Sequence, residues 1–202
     1  MIDFLLHTRD MADALDHPAP STTRSWSTLA GPGSAEAMDP KQFRQALGMF
    51  ATGVTVVTTI APDGSPRGLT ANSFTSVSLS PPLVLVCIDR AAKSYTAFTQ
   101  GNGFAINILS QDQRELSQRF ASKTADKFAG VDWSKGANGA PILDGALAWL
   151  ECRHWRWVTA GDHIVLIGEV VDLGVNPGQP LAYFGSAYGA VAALDASAAI
   201  GA

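Results

Sequence analysis

The chain has 202 residues, 47% of them hydrophobic and 16% charged, with a formal net charge of -4. That length supports one domain with a real core and is too short for two ordinary ones. The acidity gathers at the start: residues 1–38 hold Asp3, Asp10, Asp13, Asp16 and Glu36 against Arg9 and Arg24, whereas residues 39–190 balance twelve basic with twelve acidic side chains. A neutral body without a basic stripe argues against nucleic acid as a main partner. No apolar run reaches the ~18 residues of a membrane helix. The opening MIDFLLHTRD places Asp3 where a signal peptide carries basic residues. Cys87 and Cys152 lie in apolar runs with no metal-binding spacing, which reads as two buried, reduced thiols. The expectation is a soluble cytoplasmic protein with no membrane segment.

Residues 1–16 suggest a short helix with Phe4, Met11 and Leu15 on one side. A stretch rich in Ser, Thr, Pro and Gly follows, which is linker composition. Residues 1–38 are therefore expected to be a flexible extension, residues 39–190 the domain and residues 191–202 a tail. Met38, directly before the domain, is a possible alternative start of translation. In MDPKQFRQALGMFATG, Asp39 is a candidate N-cap and Pro40 the first helical residue, while Phe43, Leu47 and Phe50 recur at helical spacing and Gly53 would close the helix.

From there the pattern is one of strands. VTVVTTI (54–60) leads into APDGSP, whose Asp63-Gly64 is a strong turn signal. RGLTA, SFTSVSL and the apolar LVLVCID follow. Ser94 is placed to cap a short helix before the strand FAINIL (104–109), and Ser110 to cap a second helix carrying Leu116 and Phe120. A loop region with Phe128 and Trp133 precedes two long strands, ALAWLECRHWRWV and HIVLIGEVVDLGV. In the first, Trp149, Glu151, Arg153, Trp155 and Trp157 share one parity, predicting one aromatic sheet face. Six or seven strands with short helices favour a mainly β, antiparallel barrel over a parallel sheet. No glycine-rich dinucleotide fingerprint, P-loop, HExxH or GxSxG is present.

Taken alone, Thr70, Asn72, Ser73, Thr75, Ser76, Ser78 and Ser80 form a dense set of short polar groups between strands. Such residues often do no more than satisfy local backbone groups. Five blocks in order change that reading: FRQALGMFATGVTVVTT, GLTANSFTSVSLSPPLVLVCID, FAINILS, GDHIVLIGEV and PLAYFGSAYG. Together they resemble the flavin reductase-like family, the small reductases that supply reduced flavin to two-component monooxygenases, over roughly residues 39–190.

The resemblance implies a split β-barrel of the FMN-binding type, with short flanking helices, that forms a homodimer and binds FMN or FAD near the dimer interface. It implies that Thr70, Ala71, Asn72 and Ser73 lie along the flavin. Ser94 and Thr96 would meet its phosphate, with Lys93 or Arg90 adding charge. His163 of Gly161-Asp162-His163 would help hold NADH or NADPH, as would Phe184, Gly185, Ser186, Ala187 and Tyr188. Thr75, Ser76 and Ser78 read as sheet residues, and Phe120 and Phe128 as core. Hydride transfer asks the protein for orientation, not for an acid or base, so no catalytic residue is assigned. The implied activity is NAD(P)H-dependent flavin reduction for a partner monooxygenase. Its rivals are a flavin-binding carrier or sensor without turnover, and an oxidase of the same fold that retains its flavin.

Overall fold

The computed structural model describes residues 38–192, and the chain divides after Met38. The helix expected over residues 1–16, the linker to residue 37 and all of the tail beyond residue 192 lie outside the described residues.

Helix α1 (Pro40–Gly48) starts as its sequence dictates, with Asp39 Oδ1 accepting the Lys41 N–H at 3.0 Å and Pro40 in the first turn. It stops earlier than expected. The Met49 and Phe50 amides bond back to Ala46 and Leu47, tightening the last turn. The chain then extends so that β1 (Thr52–Gly53) pairs with β11 (Leu181–Phe184). Gly53 is thus a strand residue opposite Ala182, not a helix terminator. No residue of α1 is buried; Phe43 and Leu47 are more than half exposed.

The main sheet has seven strands: β2 (Thr55–Ile60), β3 (Pro66–Ala71), β4 (Thr75–Leu79), β5 (Pro82–Asp89), β6 (Phe104–Ile108), β9 (Ala148–Ala160) and β10 (His163–Val175). Their order is β3-β2-β6-β9-β10-β5-β4 and every neighbour is antiparallel. The Asp63-Gly64 turn forms where predicted, with Gly64 at φ 81°. The fold is mainly β. The ladder is open, with β3 and β4 as its edges. Ala71 from one edge strand nonetheless shares a core with Val84, Val86 and Ile88 of β5, together with Phe104, Ile106, Cys152 and Leu166. The sheet therefore curls until strands near its two ends face the same apolar interior. Each large side chain fully buried there, such as Phe104, contributes about 1.5–3 kcal/mol. Burial also pushes the Cys152 thiol up to about 12, so this sulfur packs as a small apolar group.

β2 is covered on both sides. Val57 faces the curled interior, while Val56 joins a second cluster with Leu109, Phe120, Leu143 and Leu181. Phe120 comes from α3 (Arg114–Ala121), which follows a 3-10 turn over Gln111–Gln113; the Gln113 amide oxygen accepts the Ser110 N–H at 3.1 Å. The short helix α2 (Tyr95–Gln100) buries Phe98 in the first cluster.

Two further features depart from expectation. The region before residue 148 is not simply a loop, for β7 (Trp133–Lys135) pairs with β8 (Pro141–Leu143). The aromatic parity of β9 also fails. The register skips Trp155 between His154↔Gly168 and Arg156↔Ile167, so Trp155 is a bulged residue and Trp157 ends up opposite the inward-facing Leu166. A second bulge falls at Val171 of β10. The described residues close with a hairpin of β11 and β12 (Ala187–Ala190), turning through Gly185 and Ser186 at φ 56° and 65°.

Candidate functional site: a cationic cavity beside an edge strand

A cavity of about 1290 Å³ opens along the outer side of β3. Gly68 and Thr70 of β3 form its floor, and Asn72 and Ser73 continue it. Phe120 and the segment 121–129 build one wall, the segment 91–94 another, and His163 stands at the rim. Strand parity explains the contribution of β5. Val84, Val86 and Ile88 point into the core, so Cys87 and Asp89 point outward to the cavity.

Of the residues singled out in sequence, Thr70, Ala71, Asn72, Ser73, Ser94 and His163 line this one cavity. They differ in what their side chains already do. Thr70 Oγ1 donates to the Ser117 carbonyl at 2.6 Å. Ala71 is buried against the core. The Ser73 hydroxyl accepts the Cys87 N–H at 3.0 Å, serving the edge of β5 beyond the reach of β4. Asn72 is exposed, and its side chain has no protein partner among the described residues. Ser94 is 7% exposed, yet makes no side-chain cap bond and no other side-chain hydrogen bond there. That hydroxyl keeps its donor and acceptor capacity for a ligand in the cavity.

Thr96 is exposed and does not line the cavity, and neither does Arg90, whose guanidinium reaches the Gly161 carbonyl at 3.5 Å. Phe184, Gly185, Ser186, Ala187 and Tyr188 lie on the β11–β12 hairpin and line no part of it either. The first four are exposed. The Tyr188 hydroxyl shares a 2.9 Å hydrogen bond with Ser117 Oγ. Phe120 and Phe128 are core residues as expected, stacked edge to face at 4.9 Å, and they also line the cavity.

The lining is cationic: Arg67, Lys93, Lys123 and Lys127 outnumber Asp89 and Asp126. Lys127 Nζ donates to the Phe120 carbonyl at 2.5 Å and to Gly68 at 3.4 Å. Burial, and then the neighbouring Lys93 charge, hold its ammonium below the ordinary lysine value. Among the described residues neither lysine has a carboxylate within ion-pair distance. Two ammonium groups facing one cavity favour an anionic occupant. At the rim, His163 Nδ1 is 2.7 Å from Asp162 Oδ1, a bond that, with the His163 charge behind it, holds the exposed Asp162 carboxyl below the usual carboxylate range. Sequence reasoning missed Arg67, Lys123 and Lys127. The run KTADK offered two lysines close together, but exposed loop lysines carry no periodic signal.

The sequence profile described as the flavin reductase like domain matches residues 47–192. A probable flavin reductase of Rhizobium meliloti is 50% identical over 137 residues, covering 68% of this chain and 44% of the relative. The reductase subunit of stachydrine N-demethylase from the same organism is 45% identical over 169 residues, covering 83% of this chain and 74% of the relative. The chain thus spans less than half of the first relative and about three quarters of the second. Among solved structures, the NADH:FAD oxidoreductase of Streptomyces globisporus in complex with NAD and FAD fragments superposes with a TM-score of 0.72 at 42% identity, covering 80% of this chain and 99% of the other. With the profile matched over most of its length, the chain belongs to the flavin reductase-like family.

Proposed function

We propose that the protein is an NAD(P)H:flavin oxidoreductase that reduces FMN or FAD and releases the reduced flavin to a partner monooxygenase. The observation that carries this reading is a pair of polar groups with no protein partner among the described residues, the Asn72 amide and the Ser94 hydroxyl, beside a cationic lining. These residues fit a flavin nucleotide. Asn72 offers a donor and an acceptor to a heterocycle edge, while Ser94 and Lys93 offer a hydroxyl and a charge to a phosphate. Thr70, Ala71 and Ser73 present a floor with no bulky side chain. Bound flavin supplies the hydride-accepting chemistry. The chain supplies orientation, with Phe120 and Phe128 as apolar wall and His163 at the rim toward the nicotinamide nucleotide. The Streptomyces neighbour carries NAD and FAD fragments, and the Rhizobium relative is a reductase subunit; both support the assignment.

The finer architecture belongs to the same reading. The shared core of β3 and β5, strands with no hydrogen-bonded pairing between them, supports a split β-barrel. The apolar stripe of α1, with Phe43 and Leu47 more than half exposed, supports a homodimer. Because Phe184, Gly185, Ser186 and Ala187 do not line the cavity of their own chain, their contribution to the nucleotide site would come from the second copy. The reaction is placed in the cytoplasm, in keeping with two free thiols. No helix among the described residues is long and apolar enough to cross a membrane. Residues 1–37 stand outside the catalytic unit, so a chain beginning at Met38 folds and reduces flavin.

The test is oxidation of NADH and NADPH by the purified protein with FMN or FAD added. Turnover that depends on free flavin supports the reading. Tight flavin binding without nucleotide oxidation would make the protein a carrier or sensor.

A further inference from the structure

The proposed flavin site leaves one hydrogen-bonded chain unexplained. It runs from the C-terminal hairpin, through α3, to the floor of the cavity. Tyr188 of β12 meets the Ser117 hydroxyl at 2.9 Å, and the Ser117 carbonyl accepts the Thr70 hydroxyl at 2.6 Å. Ser117 is fully buried, so neither group can turn to water if its partner is lost. Thr70 lines the cavity and Tyr188 does not.

We infer that Tyr188 is a positioning residue for the flavin cavity, acting through Ser117 and Thr70. The width of the cavity depends on how α3 lies against β3, since β3 supplies the floor and Phe120 of α3 the wall. On the cavity side α3 meets β3 at Gly68 and at Thr70, and Lys127 bridges the Phe120 and Gly68 carbonyls. Gly68 passes so close beneath Phe120 that a Cβ there would come within 2.7 Å of the ring, and Thr70 is tied to Ser117. β3 is an edge strand, so no further strand fixes that side. On the opposite side the stop is Tyr188. Its ring packs edge to face on Tyr183 at 5.4 Å and lies under the Arg114 guanidinium at 5.5 Å. Arg114 and Ser117 are three residues apart, one turn of α3. Tyr188 thus grips the helix at two levels, and its hydroxyl fixes the residue whose carbonyl holds Thr70.

The inference rests on the cavity being the flavin site, and the experiment separates the two. FMN, and separately FAD, is titrated into each variant by quenching of flavin fluorescence. Tyr188→Phe keeps the ring and removes only the hydroxyl; it raises the FMN Kd about threefold to tenfold. Ser117→Ala reproduces that rise. Thr70→Val also raises Kd, and the double variant Thr70→Val with Tyr188→Phe falls well short of the product of the two, because both changes cut one chain. The KM for flavin moves with Kd, and the KM for NAD(P)H stays within about twofold. A Tyr188→Phe protein with wild-type FMN affinity, while Asn72→Leu weakens FMN, overturns the positioning role and leaves the flavin site standing. Multiplying effects overturn it too, as does a rise confined to the KM for NAD(P)H. If none of these variants moves FMN or FAD affinity, the flavin reading of the cavity fails and the inference with it.

Discussion

Two regions of this protein are built from the same short polar side chains, and they use them in opposite ways. Where β2 crosses β6, Thr55, Thr58, Thr59 and Asn107 are all at most 2% exposed, and every one is satisfied. Thr55 donates to Ala71, Thr58 to Pro141 and Thr59 to Gly103 at 2.6–2.7 Å. Asn107 donates to the Val56 carbonyl at 3.1 Å and accepts the Leu143 N–H at 2.8 Å. At the cavity, the Ser94 hydroxyl and the exposed Asn72 side chain have no protein partner among the described residues. Thr70 and Ser73 stand between the extremes, for they line the cavity with hydroxyls already engaged. The count of hydroxyls and amides does not separate structure from site. What separates them is prior engagement, because an amide or hydroxyl that no protein group occupies keeps its donor and acceptor capacity for a ligand.

Breaking the satisfied network should give the largest effect. Asn107→Leu leaves the buried Leu143 N–H and Val56 carbonyl without their side-chain partner, which costs about 3 kcal/mol of stability. Urea unfolding followed by circular dichroism measures it. The FMN affinity of the protein that remains folded should be unchanged. A loss below about 1 kcal/mol would mean that water or a backbone shift replaces the network.

The unsatisfied region should respond the other way round. Asn72→Leu has no internal hydrogen bond to lose, so melting of the apoprotein stays at the wild-type value. Flavin binding weakens by about 1–3 kcal/mol, a fivefold to 150-fold rise in Kd. A variant that melts early and binds flavin normally would reverse the assignment of the two regions.

Much of this division was invisible in the sequence, for identifiable reasons. Composition and spacing located α1, β2, β3, β5, β6, α3 and the long β9–β10 pair, because each has a cap, a turn signal or a sustained apolar run. β7 and β8 are three residues each, too short for any period to show. The bulge at Trp155 defeated the parity reading, since alternation assumes an unbroken register. At the site, the resemblance brought six residues to one cavity. It also nominated Thr96 beside Ser94, yet residues two apart on a helix face different directions, and only Ser94 reaches the cavity. Arg67, Lys123 and Lys127 were missed because what makes them matter is convergence from β3 and a distant loop. The exposure of Phe43 and Leu47 on α1 is likewise a property of tertiary packing, not of helical spacing.

His163 tests whether the rim differs from the floor. Among the described residues its ring bonds to the exposed neighbour Asp162 and to no group of the cavity floor. His163→Ala should therefore leave flavin affinity nearly unchanged and raise the KM for NAD(P)H about threefold to tenfold. His163→Gln, which keeps a donor and an acceptor but cannot titrate, should recover part of the loss. Steady-state kinetics over a pH series, varying nucleotide and flavin separately, distinguish these results. Lost flavin binding with normal nucleotide binding would put His163 on the wrong ligand.

The smallest effect probes an exception on the structural side of the comparison. His154 of β9 stacks on Phe104 at 5.6 Å, and its Nε2 is buried without a partner. Burial holds its pKa below the ordinary histidine value of 6.5. The sign of the consequence follows from proton counting. Between the lowered folded value and 6.5, the unfolded chain carries the proton and the folded ring does not. Stability therefore rises with pH through that window, and acidification from neutrality erodes it until the folded ring itself protonates. The carboxyls of Asp63 and Asp162, also shifted down, lose their contribution only at lower pH, in the carboxylate range, so the two sources separate along the pH axis. His154→Phe keeps an aromatic surface against Phe104 and removes the titration. Its unfolding free energy, measured in urea from pH 5 to 8, should be flatter below pH 6.5 than that of the wild type and nearly parallel above it. Equal slopes in the two proteins would show that the Nε2 atom finds water after all, and that His154 belongs with the satisfied groups.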